Sequence, residues 1–174
     1  PYIGKILLFP IPAWKIWDDI DVLHQKELKR VRWISIGIFE KVLRGELIRS
    51  KDIKKLPCEI VVTRKEFDEN PKLMGLNAWT MIERQRVSVD RLGVPTQGGL
   101  FFFVLQFFAP YAGLFFLADI EESNLQKFRA TIDFLGDTGL GADRNSGLGH
   151  FTLVEDSAFH PVVPQASSGW ATIS

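Results

Sequence analysis

In the sequence RQRVSVDR at residues 84–91, the apolar residues Val87 and Val89 alternate with polar and charged residues. This period of two is typical of a β-strand that has one face toward solvent. A polar, glycine-containing stretch follows at residues 93–99, and an apolar, strand-like sequence resumes at Leu100. Two strands joined in this way predict an antiparallel β-hairpin with a long polar tip.

The apolar run at residues 100–118 continues the hairpin, and its length raises the question of a membrane span. Gln106 interrupts the run, and the segment from Pro110 to Gly113 consists of turn-forming residues. Phenylalanine and β-branched residues between such breakers favour pleated sheet over a lipid-facing helix. The run therefore predicts two buried strands and no membrane helix.

Two helices are predicted, one on each side of the hairpin. Apolar residues recur at helical spacing after Ser35, a favourable N-cap, and Gly45 stands where the helix would end. A second apolar stripe at residues 125–135 is followed by Gly136 as a stop. Residues 51–77 are charged and mixed in pattern, and we interpret them as an insertion with at most short elements. This order of elements predicts an α+β protein with an antiparallel sheet.

The composition indicates a compact globular protein, since 46% of the 174 residues are hydrophobic and 24% are charged. The net charge is zero, but residues 1–91 contain 18 Lys and Arg against 13 Asp and Glu, and the remainder contains 3 against 8. Such a polarity is compatible with a basic face for a polyanion and an acidic face for a protein neighbour. The alternative is that the opposite charges pair within one fold.

The single cysteine, Cys58, excludes an intramolecular disulfide and a cysteine metal cage, and it favours a reducing compartment. The N-terminal residues contain no basic segment leading into an apolar one, so they predict no secretory signal. The first residue is Pro1 and not methionine, from which we expect that the sequence is a fragment.

A glycine-rich segment, GDTGLGADRNSGLG at residues 136–149, holds five glycines in fourteen residues. Glycine allows positive φ and a close approach of the backbone to a ligand, so exposed amides can cradle phosphate. The segment is neither a dinucleotide fingerprint, which needs glycine or alanine where Arg144 stands, nor a Walker loop, which needs Gly-Lys-Ser/Thr. Arg144, Asn145 and Ser146 are donors suited to a sugar-phosphate backbone. The alternative interpretation is a flexible connector.

The same segment resembles the glycine-rich loop of the RAMP superfamily of CRISPR proteins. Residues 87–91 with Leu100 and Phe101 are similar to the central hairpin of the type III-A (Csm complex) subunit that caps the 5′ end of the guide RNA. Residues 1–12 resemble the middle section of that subunit. The resemblance covers most of the chain and is weakest across residues 51–77.

This resemblance implies a fold of two ferredoxin-like (RRM-like) RAMP modules with antiparallel sheets. Residues 1–79 would be the remainder of a first module with the insertion, and residues 80–174 would form the hairpin and a second module with the glycine-rich loop. In the family a strand and a helix precede the equivalent of Pro1, so we expect an incomplete chain.

The resemblance further implies a non-catalytic, cytoplasmic RNA-binding subunit without cofactor or metal, which holds the repeat-derived 5′ tag of the crRNA. It would contact the large polymerase-like subunit on one side and a RAMP backbone subunit on the other, with no membrane partner. The residues expected to bind RNA are Arg84, Arg86, Arg91, Gly139, Gly141, Arg144, Asn145, Ser146, Gly147 and Gly149. The aromatic RNP1 signature of ordinary RRM proteins is absent, which gives no ground to assume base stacking on the sheet.

Two other classes of function remain open in the sequence. A RAMP-type endoribonuclease would use an acid and a base near the scissile phosphate, and the candidate groups do not form a recognisable constellation: His24, Asp90, Asp137, His150 and His160. A protein-only scaffold would suit the acidic second half and the many phenylalanines.

Overall fold

The computed structural model describes residues 1–18, 28–73, 75–89, 92, 95–141 and 143–156. The described residues form two compact units, residues 1–115 and residues 116–156. The first unit contains a sheet and the hairpin, and the second contains one long helix and the glycine-rich loop. The predicted module boundary between residues 79 and 80 stays a prediction. No helix in the described ranges is both long enough and apolar enough to cross a membrane.

Among the described residues, eight strands and three complete α-helices make up most of the regular structure. The strands are β1 Tyr2–Ile3, β2 Ile6–Pro10, β3 Trp33–Ser35, β4 Ile53–Leu56, β5 Ile60–Thr63, β6 Trp79–Val89, β7 Pro95–Phe108 and β8 Ala112–Gly113. The helices are α1 Ile36–Leu43, α2 Arg64–Glu69 and α3 Glu122–Thr138. This content confirms the predicted α+β class.

The first unit is built on a six-stranded sheet in the order β4-β5-β3-β2-β1-β8. The paired strands are antiparallel except for β3 and β5, which run parallel. Both faces are covered, because Ile60 and Val62 of β5 belong to one buried cluster and Val61 belongs to the other. All four residues of β5 are buried. Residues 51–77, where the sequence pattern was least clear, therefore supply a central strand of the sheet.

Helix α1 begins after Ser35 as predicted, but Ser35 makes no side-chain cap to it. The helix ends at Leu43, and Gly45 follows with φ of 76°. Helix α2 has a full capping box between Thr63 and Glu66, a Thr-x-x-Glu spacing that is plain in the sequence. These two short helices pack on the sheet beside β5.

The predicted hairpin is present as β6 and β7, which pair from Trp79 with Phe108 up to Val87 with Leu100. A register irregularity follows, after which Val89 pairs with Pro95. The second strand thus starts five residues before the predicted resumption at Leu100, and the tip is shorter. The expectation that residues 100–118 form buried strands was wrong: Phe102 is 53% exposed and Val104 is 61% exposed.

Helix α3 carries the predicted apolar stripe, but it runs past Gly136 and ends at Thr138, with Gly139 at φ of 84° after its last turn. Gly136 is buried. A Cβ at this position would lie only 2.5 Å from the carbonyl oxygen of Phe151, so this close contact between the two segments requires glycine. Arg129 forms a two-armed ion pair with Glu155 through Nε and Nη2, each 2.6 Å from a carboxylate oxygen. These contacts fold the chain after the loop back along α3.

Candidate nucleic-acid interface

The hairpin brings two of the predicted arginines onto one face. Arg84 lies directly opposite Phe103, and Arg86 lies opposite Phe101. Directly opposed residues of antiparallel strands point to the same side of the ribbon. Every second residue along each strand also points to that side. We call this side of the ribbon the arginine face. Its members are Thr80, Ile82, Arg84, Arg86, Phe101, Phe103, Leu105 and Phe107.

The two arginines of this face stand among aromatic rings. The guanidinium carbon of Arg86 lies 4.4 Å from the centroid of the Phe103 ring, which is a cation–π contact. Phe101 is 47% exposed and Phe107 is 42% exposed. These phenylalanines are not among the residues expected from the sequence to bind RNA. Only the register of β6 against β7 shows that they lie beside the arginines, and this register cannot be derived from the sequence pattern.

The opposite side of the ribbon, which we call the apolar face, has no arginine in its paired rows from Met81 to Val87 and has more exposed aliphatic surface. Near its base, Trp79 meets the rings of Trp33 and Phe108 at centroid distances of 6.2 and 6.0 Å. Farther out, the face is exposed. Its members beyond the base are Met81, Glu83, Gln85, Val87, Leu100, Phe102, Val104 and Gln106.

The third predicted arginine of the hairpin, Arg91, lies outside the described residues. The other predicted RNA-binding residues belong to the glycine-rich loop of the second unit, and all of them are described. That loop is closed by backbone hydrogen bonds. The Leu140 amide donates to the Gly149 carbonyl over 2.9 Å, and the Phe151 amide donates to the Gly136 carbonyl over 3.3 Å.

The loop glycines fall into two groups. A Cβ on Gly149 would lie 2.0 Å from the carbonyl oxygen of Leu140, and one on Gly139 would lie 2.7 Å from that of Leu148. These two glycines allow the chain to approach itself. By contrast, Gly141 and Gly147 have positive φ of 107° and 75° and open space where a Cβ would be. Only this second group has the room for a ligand to come near the backbone.

Arg144, Asn145 and Ser146 form a single turn of 3₁₀-helix between these glycines, and all three are exposed. The turn is stabilised locally, because the Ser146 amide donates to the Asp143 carbonyl over 2.9 Å. The loop thus presents one guanidinium, one amide and one hydroxyl side by side.

Only two of the groups considered for cleavage chemistry lie among the described residues. Asp137 and His150 are exposed, and the other three candidates, His24, Asp90 and His160, lie outside the described residues. In the ranges that the structure describes, no three His, Cys, Asp or Glu side chains are grouped so that they could hold a metal ion.

The chain is similar to a curated protein and to a chain of a solved complex. The chain is 27% identical over 157 residues to "CRISPR system Cms protein Csm4" from Methanocaldococcus jannaschii, an alignment that covers 76% of this chain and 42% of the relative. The chain thus spans about two fifths of the length of the curated relative it matches. No protein-family model matches.

Among solved structures, the fold is similar to a chain in the crystal structure of the Csm3-Csm4 subcomplex of a type III-A CRISPR-Cas interference complex. The match has a TM-score of 0.48 and 21% identity, and it covers 80% of this chain and 47% of that chain. The curated relative confirms the resemblance found in the hairpin and the glycine-rich loop: over most of its length the chain is similar to a Csm4 protein of a CRISPR system.

Proposed function

We propose that this chain is a non-catalytic RNA-binding subunit of a type III-A CRISPR effector complex, where it grips the 5′ tag of the crRNA. The observation that carries the proposal is the arginine face, on which Arg84 and Arg86 stand two residues apart on an exposed two-stranded ribbon. Regularly spaced cations beside exposed aromatic rings are typical of surfaces that bind a single nucleic-acid strand.

The glycine-rich loop supplies a second contact of a different kind. Gly141 and Gly147 leave their backbone accessible, and the turn at residues 144–146 adds side-chain donors. Backbone amides and neutral donors fix the register of a sugar-phosphate chain without reading its sequence. This suits a tag that is common to all guides of a complex.

The partners that we propose are the large polymerase-like subunit and a RAMP backbone subunit. The apolar face of the hairpin supports protein contact, because Met81 and Val104 are each at least 60% exposed there. Patches of this kind on folded proteins mark interaction surfaces. The excess of acidic residues after residue 91 favours a basic neighbour.

The absence of cleavage is part of the proposal. It rests on the resemblance to the subunit that caps the 5′ end of the guide RNA, and on the lack of a recognisable acid–base constellation in the sequence. If the chain cleaved RNA, this part of the proposal would be replaced by a RAMP-type endoribonuclease activity.

The decisive experiment measures binding of a short repeat-derived RNA at two salt concentrations, followed by incubation of the same samples with Mg²⁺. We expect salt-dependent binding and uncut RNA. Absence of binding would favour a protein-only scaffold, and site-specific products lost in His150→Ala would establish a nuclease.

A further inference from the structure

Phe101 is the most exposed aromatic ring on the arginine face, and its immediate neighbours are cationic. It stands directly opposite Arg86 and diagonal to Arg84 on the partner strand. The guanidinium of Arg86 is drawn over the next ring on the same face, that of Phe103. The ring of Phe101 is therefore flanked by positive charge while 47% of the residue remains in contact with solvent.

We infer that Phe101 stacks one nucleobase of a single RNA strand, while Arg84 and Arg86 contact the phosphates on either side of that base. The inference deepens the proposed function by assigning a base-binding site to the ribbon, and it rests on that function. The ligand is a nucleobase of single-stranded RNA, which has the planar face for the ring and the negative charge for the arginines.

The chemistry of both partners supports this assignment. The contact with Phe103 holds the positive charge of Arg86 on the arginine face, where it attracts a phosphate. The exposed part of Phe101 is accessible to a flat base, and every base has a face that can stack on an aromatic ring. An exposed ring next to cations attracts an anionic strand more readily than an apolar protein segment.

The chain offers a matched control in the adjacent residue. Phe102 has the same side chain and a similar exposure of 53%, but it lies on the apolar face opposite Gln85. A substitution at either position removes the same aromatic ring from the same strand. Only the one at Phe101 removes it from the arginine face.

The test uses the full chain and a short repeat-derived single-stranded RNA that carries 2-aminopurine at each position in turn. Stacking on an aromatic ring quenches this fluorescent base, so one position should lose fluorescence on binding. Phe101→Leu keeps the apolar bulk but has no aromatic face. It should restore the fluorescence and weaken binding about tenfold, at both low and high salt. Phe101→Trp should retain the quenching, and Phe102→Leu should leave both readouts unchanged.

The readouts separate this inference from the function beneath it. If the parent chain binds no RNA, the proposed function fails and the base site fails with it. If the parent binds RNA and Phe101→Leu binds and quenches like the parent, the base site alone is overturned. An equal loss in Phe101→Leu and Phe102→Leu also overturns it, since either ring would then act through stability or bulk. Melting temperatures of the variants check that each is folded.

Discussion

Ser35 donates its hydroxyl hydrogen bond to the carboxylate of Glu66, 31 residues later in the chain, over 2.5 Å. The same carboxylate accepts hydrogen bonds from the Gly37 amide at 3.0 Å and from the amide and hydroxyl of Thr63 at 2.8 and 2.7 Å. One negative charge thus serves the first turns of both α1 and α2, where unpaired amides and the helix dipole favour an anion.

Replacing this carboxylate should destabilise the first unit. In Glu66→Gln one acceptor oxygen becomes a donor that faces other donors, so we expect the free energy of unfolding to fall by about 2 kcal/mol. Denaturant unfolding measures it. Asp68→Asn, at an exposed position of the same helix, is the control and should change stability by less than about 0.5 kcal/mol. Equal effects of the two variants would contradict a shared cap.

The two groups of loop glycines should respond differently to alanine. Gly149→Ala places a Cβ against the Leu140 carbonyl, so the hydrogen bond that closes the loop must break. We expect hydrogen exchange at the Leu140 amide to accelerate strongly. Gly147→Ala meets open space and bears only the left-handed backbone penalty of about 1 kcal/mol. If Gly147→Ala opens the loop as much as Gly149→Ala does, the grouping is wrong.

Arg84 and Arg86 should each contribute one phosphate contact. Arg84→Gln or Arg86→Gln should weaken binding to all single-stranded RNA sequences similarly, and each should reduce the slope of log K against log salt by about 0.7. Lys127→Gln, an exposed cation on α3, is the control. An unchanged slope in the double arginine variant would show that the arginine face is merely solvated.

Arg144 should act as a contact residue and not as a brace. Because Arg144 is exposed in a turn next to the open Gly147, Arg144→Ala should lower RNA affinity without lowering the melting temperature. Arg144→Lys should recover part of the affinity, since it restores the charge but not the planar fork. A parallel fall in affinity and melting temperature would instead indicate a structural role.

The ion pair of Arg129 with Glu155 predicts a pH dependence in the second unit. The hydrogen bond from Arg129 lowers the pKa of Glu155 from its usual value of 4.5. The ionised pair therefore stabilises the fold at neutral pH, and this contribution disappears as the pH falls below 4.5 and through the lowered value. Glu155→Gln should reduce thermal stability slightly at pH 7, and its difference from the parent should shrink as the pH falls below 4.5. Asp133→Asn, at an exposed position of the same helix, is the control and should leave thermal stability at pH 7 close to that of the parent.

The sequence predicted the hairpin and the helix after Ser35 because both patterns are local. The period of two around Val87 and the stop at Gly45 depend only on near neighbours in the chain. Strand β5 was missed because its apolar run is only a few residues long and lies among charges, although Thr63-x-x-Glu66 beyond it was a usable helix signal.

What the sequence could not predict depends on register and distance. Phenylalanine is buried in most proteins. Only the pairing with β6 shows that residues 101–103 lie on the two exposed faces of a ribbon. Likewise, nothing in the sequence distinguishes Gly147 from Gly149. A Cβ on Gly147 would meet open space, whereas a Cβ on Gly149 would meet the carbonyl oxygen of Leu140. The predicted RNA-binding residues stay predictions until binding is measured.

The irregularity between Val87 and Val89 separates the tip of the ribbon from its body. A strand has two sides, so adding or removing one residue within a regular ladder would transfer every residue beyond it to the other side. The register is already irregular between Val87 and Val89, so a change of length in the segment between Val89 and Pro95 would leave the rows from Trp79 to Val87 in place. The tip can therefore diverge in length and composition among related proteins while Arg84, Arg86 and Phe101 keep a common side.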